Sequence, residues 1–95
     1  MKYEHKNIAI NALSWVREDN YIKIPNPDSK RVVYLADEQA DLFEFLDDGL
    51  EIPESIDLLS QKYKGITREV IEKTIELFVE YDLVQITDQF EIDAS

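Results

Sequence analysis

Cysteine is absent from this chain, which excludes disulfide staples and thiolate chemistry and fits a reducing compartment. No apolar run approaches the roughly 18 residues that a membrane-spanning helix needs. The opening MKYEHKNIAI lacks the apolar core of a signal peptide. A soluble, cytoplasmic protein with no membrane partner is therefore expected. Only two glycines and three prolines occur, so there is no flexible linker, and internal repeats and low-complexity stretches are missing. His5 is the only histidine, so no Cys/His metal set can form. There is no glycine-rich phosphate loop and no serine in a nucleophile-elbow setting. Adjacent carboxylates at Glu18-Asp19 and Asp47-Asp48 read as chance neighbours on an acidic chain. Neither catalysis nor a cofactor is expected. Basic residues are scarce as well: 10 Lys and Arg stand against 21 Asp and Glu, for a net charge of −11. A field of that sign repels phosphate backbones, so nucleic acid and anionic membrane surfaces are poor partners.

What is present suits one small domain spanning 1–95, with its core at about 12–86 and flexible ends at 1–10 and 87–95. Hydrophobic residues make up 44% of the 95, enough for a globular core. The front half reads as strands: ALSWV (12–16), YIKI (21–24) and KRVVYL (30–35), separated by the turn-forming REDN and PNPDS. Short links make an antiparallel meander the simplest arrangement. The back half reads as helices. Asp37 is placed to cap the first, which carries Ala40, Leu42, Phe43, Phe45 and Leu46 and stops at Gly49. Pro53 opens the second, whose apolar face is Ile56, Leu59 and Tyr63, and Gly65 ends it. Thr67 caps the third. DLVQI (82–86) returns to strand, and TDQFEIDAS is a tail or one more short strand. Trp15, the sole tryptophan, reads as an anchor of the sheet against the helices. Three antiparallel strands followed by three helices define an α+β domain of winged-helix type.

Two features exceed what a small core needs. KRVVYL comes last in the meander, so it lies at a sheet edge, and after Lys30 and Arg31 nothing blocks Val32, Val33, Tyr34 and Leu35. An open edge can accept a strand from another chain. In the third helix, Leu77, Val70, Tyr81, Thr74, Phe78, Ile71, Ile75 and Val79 sweep an arc of roughly 200°, about twice the stripe one core requires. Either Leu77, Val70, Tyr81 and Thr74 face the core while Ile71, Ile75 and Phe78 line a groove beside the strand, or the two sets exchange. Lys30, Arg31, Arg68 and Lys73 place four cations around this strand and helix, which favours a partner peptide carrying Asp or Glu. Val33→Pro is the substitution expected to abolish peptide binding while sparing the fold.

The run VVYLADEQADLFEFLDDGLEIPESIDLLSQKYKGITREVIEKTIELFVEYDLVQI resembles the PqqD-like family, the recognition elements for precursors of ribosomally synthesised, post-translationally modified peptides. The resemblance lies in Leu35, Asp37, Ala40, Leu42 with Leu46, Asp48-Gly49, Leu58-Leu59 with Tyr63, and Leu83-Val84. It covers roughly residues 12–86, through hydrophobic spacings and one Asp-Gly. Ala36 departs from it, since the family often has Asn there, which leaves the cap geometry open. The resemblance implies a leader peptide docked as an extra strand in a cleft between the third strand and the third helix. The residues it implies are Arg31, Val32, Val33 and Tyr34 on the strand, and Arg68, Ile71, Lys73, Thr74, Ile75 and Phe78 on the helix. It further implies no chemistry in the chain itself. The core segment would pass to a separate modifying enzyme, such as a radical S-adenosylmethionine maturase or a lasso-type leader protease. The chain ends soon after this fold, which reads as a free-standing element.

Two other readings share the fold. A winged-helix transcription regulator would use the third helix for recognition, but that helix would present Glu69, Glu72, Glu76 and Glu80 to phosphates with only Lys73 to oppose them. A protein–protein adaptor would use the same edge, and an unblocked edge can equally pair two copies of the chain.

Overall fold

The computed structural model describes residues 3, 6–11, 14–26 and 30–88. Its strands are β1 (Lys6–Ile10), β2 (Val16–Arg17), β3 (Tyr21–Asn26), β4 (Arg31–Ala36) and β5 (Val84–Asp88), and its helices are α1 (Glu38–Asp47), α2 (Ile52–Lys62) and α3 (Arg68–Glu80). The class is α+β. An antiparallel sheet in the order β2-β3-β4 precedes the three helices, and β1 and β5 form a second, two-stranded sheet.

β1 falls where a flexible end is expected. Ile8 and Ile10 point inward between the exposed Asn7 and Ala9, and they pair across to Ile86 and Val84. That alternation hides one face of a strand, but only once β5 returns from the far end of the chain to supply its hydrogen-bonding partner. The strand expected at 12–16 reduces to Val16–Arg17, with 12–13 outside the described residues. His5 and residues 89–95 also lie outside them.

The helix ends follow local chemistry. The Thr67 hydroxyl accepts the Val70 N–H at 3.2 Å and caps α3. Asp37 occupies the cap position of α1, but its side chain makes no capping bond. Its backbone takes φ 51°, ψ −122° instead, so its side chain is not in the extended cap geometry. Glu38 and Asp41 supply the negative charge of that first turn. α1 ends in a Schellman motif, in which Gly49 N–H bonds the Leu46 carbonyl at 3.1 Å and Leu50 N–H the Phe45 carbonyl at 3.0 Å. α3 ends in the same way on a non-glycine residue: Asp82 at φ 58° bonds Val79, and Leu83 bonds Phe78 at 2.8 Å.

The core joins the sheet to all three helices through Ile22, Ile24, Leu35, Leu42, Phe43, Leu59, Ile71, Ile75 and Phe78, each at most 2% exposed. Phe43 sits at its centre, edge-on to Phe78 at 5.7 Å and to Trp15 at 5.8 Å. Trp15 thus sits against the helices as an anchor.

Beneath the sheet lies a polar clamp. Asp41 on α1 is buried and accepts hydrogen bonds from Arg17 at 3.0 Å, Lys62 at 2.7 Å and the Tyr63 hydroxyl at 2.5 Å. Burial opposes its charge, but the three donors outweigh that and hold its carboxyl below the usual aspartate range. Burial and the neighbouring Asp41 carboxylate push the Tyr63 hydroxyl up to about 12. Among the described residues no helix is long and apolar enough to cross a membrane.

Candidate peptide-binding edge and groove

The site begins with the parity of a ladder. Asp37 N–H donates to the Asn20 carbonyl at 3.0 Å, one step beyond the β3–β4 register that pairs Tyr21 with Ala36. Hydrogen-bonded pairs alternate along an antiparallel ladder. Ile22–Leu35, Ile24–Val33 and Asn26–Arg31 are therefore the bonded pairs. On the far side of β3, Glu18 N–H donates to the Tyr21 carbonyl at 2.8 Å, which gives Tyr21 and Lys23 to β2. Pro25 falls opposite Val32 at a non-bonded position. Its missing N–H costs the β4 pairing nothing, and β2 is already over at that level.

On β4, the amides of Arg31, Val33 and Leu35 consequently turn inward to β3. Those of Val32, Tyr34 and Ala36 turn outward. β5, the segment best placed in sequence to cover them, pairs with β1, and among the described residues no strand pairs with the outer edge of β4. Side chains alternate likewise: Leu35 is buried and Val33 half-buried, while Val32 and Tyr34 are 45% and 61% exposed.

α3 supplies the opposing wall. Its arc is divided between two duties. The core takes the central 100° or so, as Thr74, Phe78, Ile71 and Ile75. Both flanks stay outside: Val70, Leu77 and Tyr81 on one, Val79 on the other. Thr74 satisfies its hydroxyl within the helix by donating to the Val70 carbonyl at 2.8 Å. Leu77 and Tyr81 of the first flank face β4. Between them runs a groove of about 540 Å³, lined by Arg31, Val32, Val33, Tyr34 and Leu35 on the strand and by Leu77, Glu80 and Tyr81 on the helix.

The expected residues separate accordingly. Arg31, Val32, Val33 and Tyr34 line the groove. Ile71, Thr74, Ile75 and Phe78 do not; they are core residues at 7% exposure or less, so Ile71, Ile75 and Phe78 exchange with Leu77 and Tyr81 while Thr74 stays in the core. Burying the middle of the arc removes the most apolar surface, which is why the core claims it. The basic rim is also thinner than expected. Lys30, Arg68 and Lys73 lie outside the lining, and Lys73 stands 3.7 Å from Glu69 on the helix surface. Glu80 was not among the expected residues, and Leu77 and Tyr81 were expected at the groove only in the exchanged arrangement. The signal that could have found them is position: Leu77 and Tyr81 sit at the border of the arc, where core packing gives out.

Val33→Pro also changes meaning. The Val33 N–H belongs to the inner ladder, so proline there would break the sheet. The outward amides of Val32 and Tyr34 are the ones that proline can remove without touching β3.

Among the described residues no group of His, Cys, Asp and Glu could hold a metal ion. No protein-family model, curated protein or solved structure matches this chain.

Proposed function

We propose that this chain binds an extended peptide by strand addition to β4 and presents it to a separate enzyme. In this reading it is a cytoplasmic recognition element for the leader segment of a ribosomally made precursor peptide, and it carries out no chemistry itself. One observation carries the proposal: the outward amides of Val32 and Tyr34 border a groove of about 540 Å³ whose other wall is the apolar flank of α3. Backbone pairing supplies affinity that tolerates sequence, and alternate side chains entering the groove supply selectivity. The resemblance to the PqqD-like recognition elements implies a peptide docked at the same strand and helix. Holding the leader raises the effective concentration of the attached core segment at the modifying enzyme, a radical S-adenosylmethionine maturase or a lasso-type leader protease. The acidic outer face of α3, with Glu69, Glu76 and Glu80, speaks against a phosphate backbone as the partner.

The test is fluorescence anisotropy of a labelled leader peptide, encoded beside the gene for this chain, titrated with Tyr34→Pro and with the parent. The parent should bind with a Kd on the order of micromolar or tighter. Tyr34→Pro should keep its circular dichroism spectrum and bind at least about tenfold more weakly. Equal affinity in a folded Tyr34→Pro chain rules out strand addition. A concentration-dependent dimer of the parent, abolished by the same proline, would assign the edge to a second copy instead.

A further inference from the structure

The helix wall of the groove has a chemistry that the strand-addition reading leaves unused. Glu80 and Tyr81 close α3 within the lining, whereas the Tyr34 ring lies on the face of β4 opposite the buried Leu35, 6.1 Å from the Tyr21 ring. Tyr81 is 48% exposed, more than an aromatic ring serving only the core would be. The last turn of α3 contains no basic residue, so the partial negative charge of the helix C-terminus is reinforced by Glu80 rather than neutralised. Neither Glu80 nor Arg31 forms an ion pair with any described residue. Arg31, the single cation of the lining, opens β4 and lies roughly 10 Å along the strand from Tyr34. Around the groove the whole chain carries a net charge of −11.

A carboxylate and a phenol ring at a helix C-terminus are a setting for a cation. Ammonium and guanidinium groups are attracted to ring faces and to the carboxylate together. The long apolar stem of Lys or Arg can lie along Leu77 while its head reaches Glu80. We propose that the peptide seated on β4 carries a lysine or arginine that enters the groove and is read by Glu80 and Tyr81. This rests on strand addition at β4 and reverses the expectation of an acidic partner, because only one of the four cations behind that expectation lines the groove. The acidic field of the chain draws such a peptide in, and the Glu80 contact fixes which residue of it faces α3.

The experiment uses a displayed library of random dodecapeptides, panned on the full chain and counter-selected on Tyr34→Pro. Recovered peptides are synthesised with a fluorescein label and titrated by anisotropy. Peptides that depend on the edge should carry Lys or Arg, and changing that residue to Glu should weaken binding at least about tenfold. Glu80→Lys, at an exposed position, should reverse the preference, and Glu80→Gln should reduce it. The preference should shrink as salt is raised. Edge-dependent peptides that bind without a basic residue, or that bind the Glu80→Lys chain equally well, would overturn the inference and leave strand addition standing. Failure to recover any peptide that depends on the edge would overturn both.

Discussion

Asp82 and Gly49 occupy equivalent positions, the left-handed residue that follows a helix, with φ 58° and 89°. Glycine meets no penalty there, whereas a side chain costs about 1 kcal/mol. Asp82 also places a negative charge at the negative end of α3. Its gain is slight, a 3.4 Å bond from the Asn11 amide. Asp82→Gly should therefore stabilise the fold by about 1 kcal/mol, and Gly49→Ala should destabilise it by a similar amount. Urea midpoints read both, and no change in either variant would mean that these motifs do not hold the helix ends. The Gly49 stop was legible in the sequence because glycine announces a left-handed residue. Asp82 announced nothing, since aspartate is also common in turns, caps and strand ends.

Asp41 was equally silent, though it organises three donors. Its stability contribution follows from the direction of its shift. A carboxyl held below its usual range stabilises the fold above that range, and the contribution is lost as pH falls through the folded value. Tyr63 has the opposite sense: its raised hydroxyl contributes fully below the usual tyrosine range, and the contribution fades as pH rises toward about 12. Denaturation midpoints measured across pH should show a plateau with both limbs. Tyr63→Phe should remove the tyrosine part of the alkaline limb and keep the acid one, and an unaltered alkaline limb would mean that the hydroxyl titrates elsewhere. Asp41→Ala should cost about 2–3 kcal/mol, because it leaves Arg17 and Tyr63 without their acceptor. Sequence shows one of four acidic residues on α1, beside Glu38, Glu44 and Asp47, and only the approach of β2 and α2 makes it a hub.

At the scale of elements, β4 and α3 were recognisable as the pair that matters, one from its place in the meander and the other from its over-wide arc. Their relative rotation was not. Periodicity reports the width of an apolar arc but not its orientation, and either half of α3 satisfies it. The structure resolves this by burying the centre, so that Phe78 meets Phe43 and Leu77 and Tyr81 remain for the groove. Ladder parity is a second property of this scale. It makes Tyr34→Pro the selective edge variant and Val33→Pro a structural one. A folded Val33→Pro chain with unchanged stability would show that the ladder is offset by one residue.

At the scale of the molecule, a net charge of −11 on 95 residues opposes compaction. Added salt should screen that repulsion more than it weakens the buried Asp41 clamp. Stability should accordingly rise between about 20 mM and 300 mM sodium chloride, by a few tenths to about 1 kcal/mol. Urea midpoints at the two concentrations check this, and a fall would place the dominant electrostatic term in attractive surface pairs. The two-stranded sheet of β1 and β5 also belongs to this scale. It joins residues 6–10 to 84–88, so one end of the chain becomes a strand only because the other reaches it.

The sequence by itself determined the order and type of β3, β4 and the three helices, because alternation, helical periodicity, Thr67, Gly49 and Pro53 act within a few residues of themselves. It also determined that β4 would end the meander and that α3 carried more apolar surface than one core needs. Tertiary structure alone decided which flank of α3 faces β4, which amides of β4 remain unpaired, that β5 closes on β1, and that Asp41 gathers Arg17, Lys62 and Tyr63. Each of these depends on distant segments meeting, where burial of the most apolar surface and the pairing of polar groups are settled between elements rather than within them.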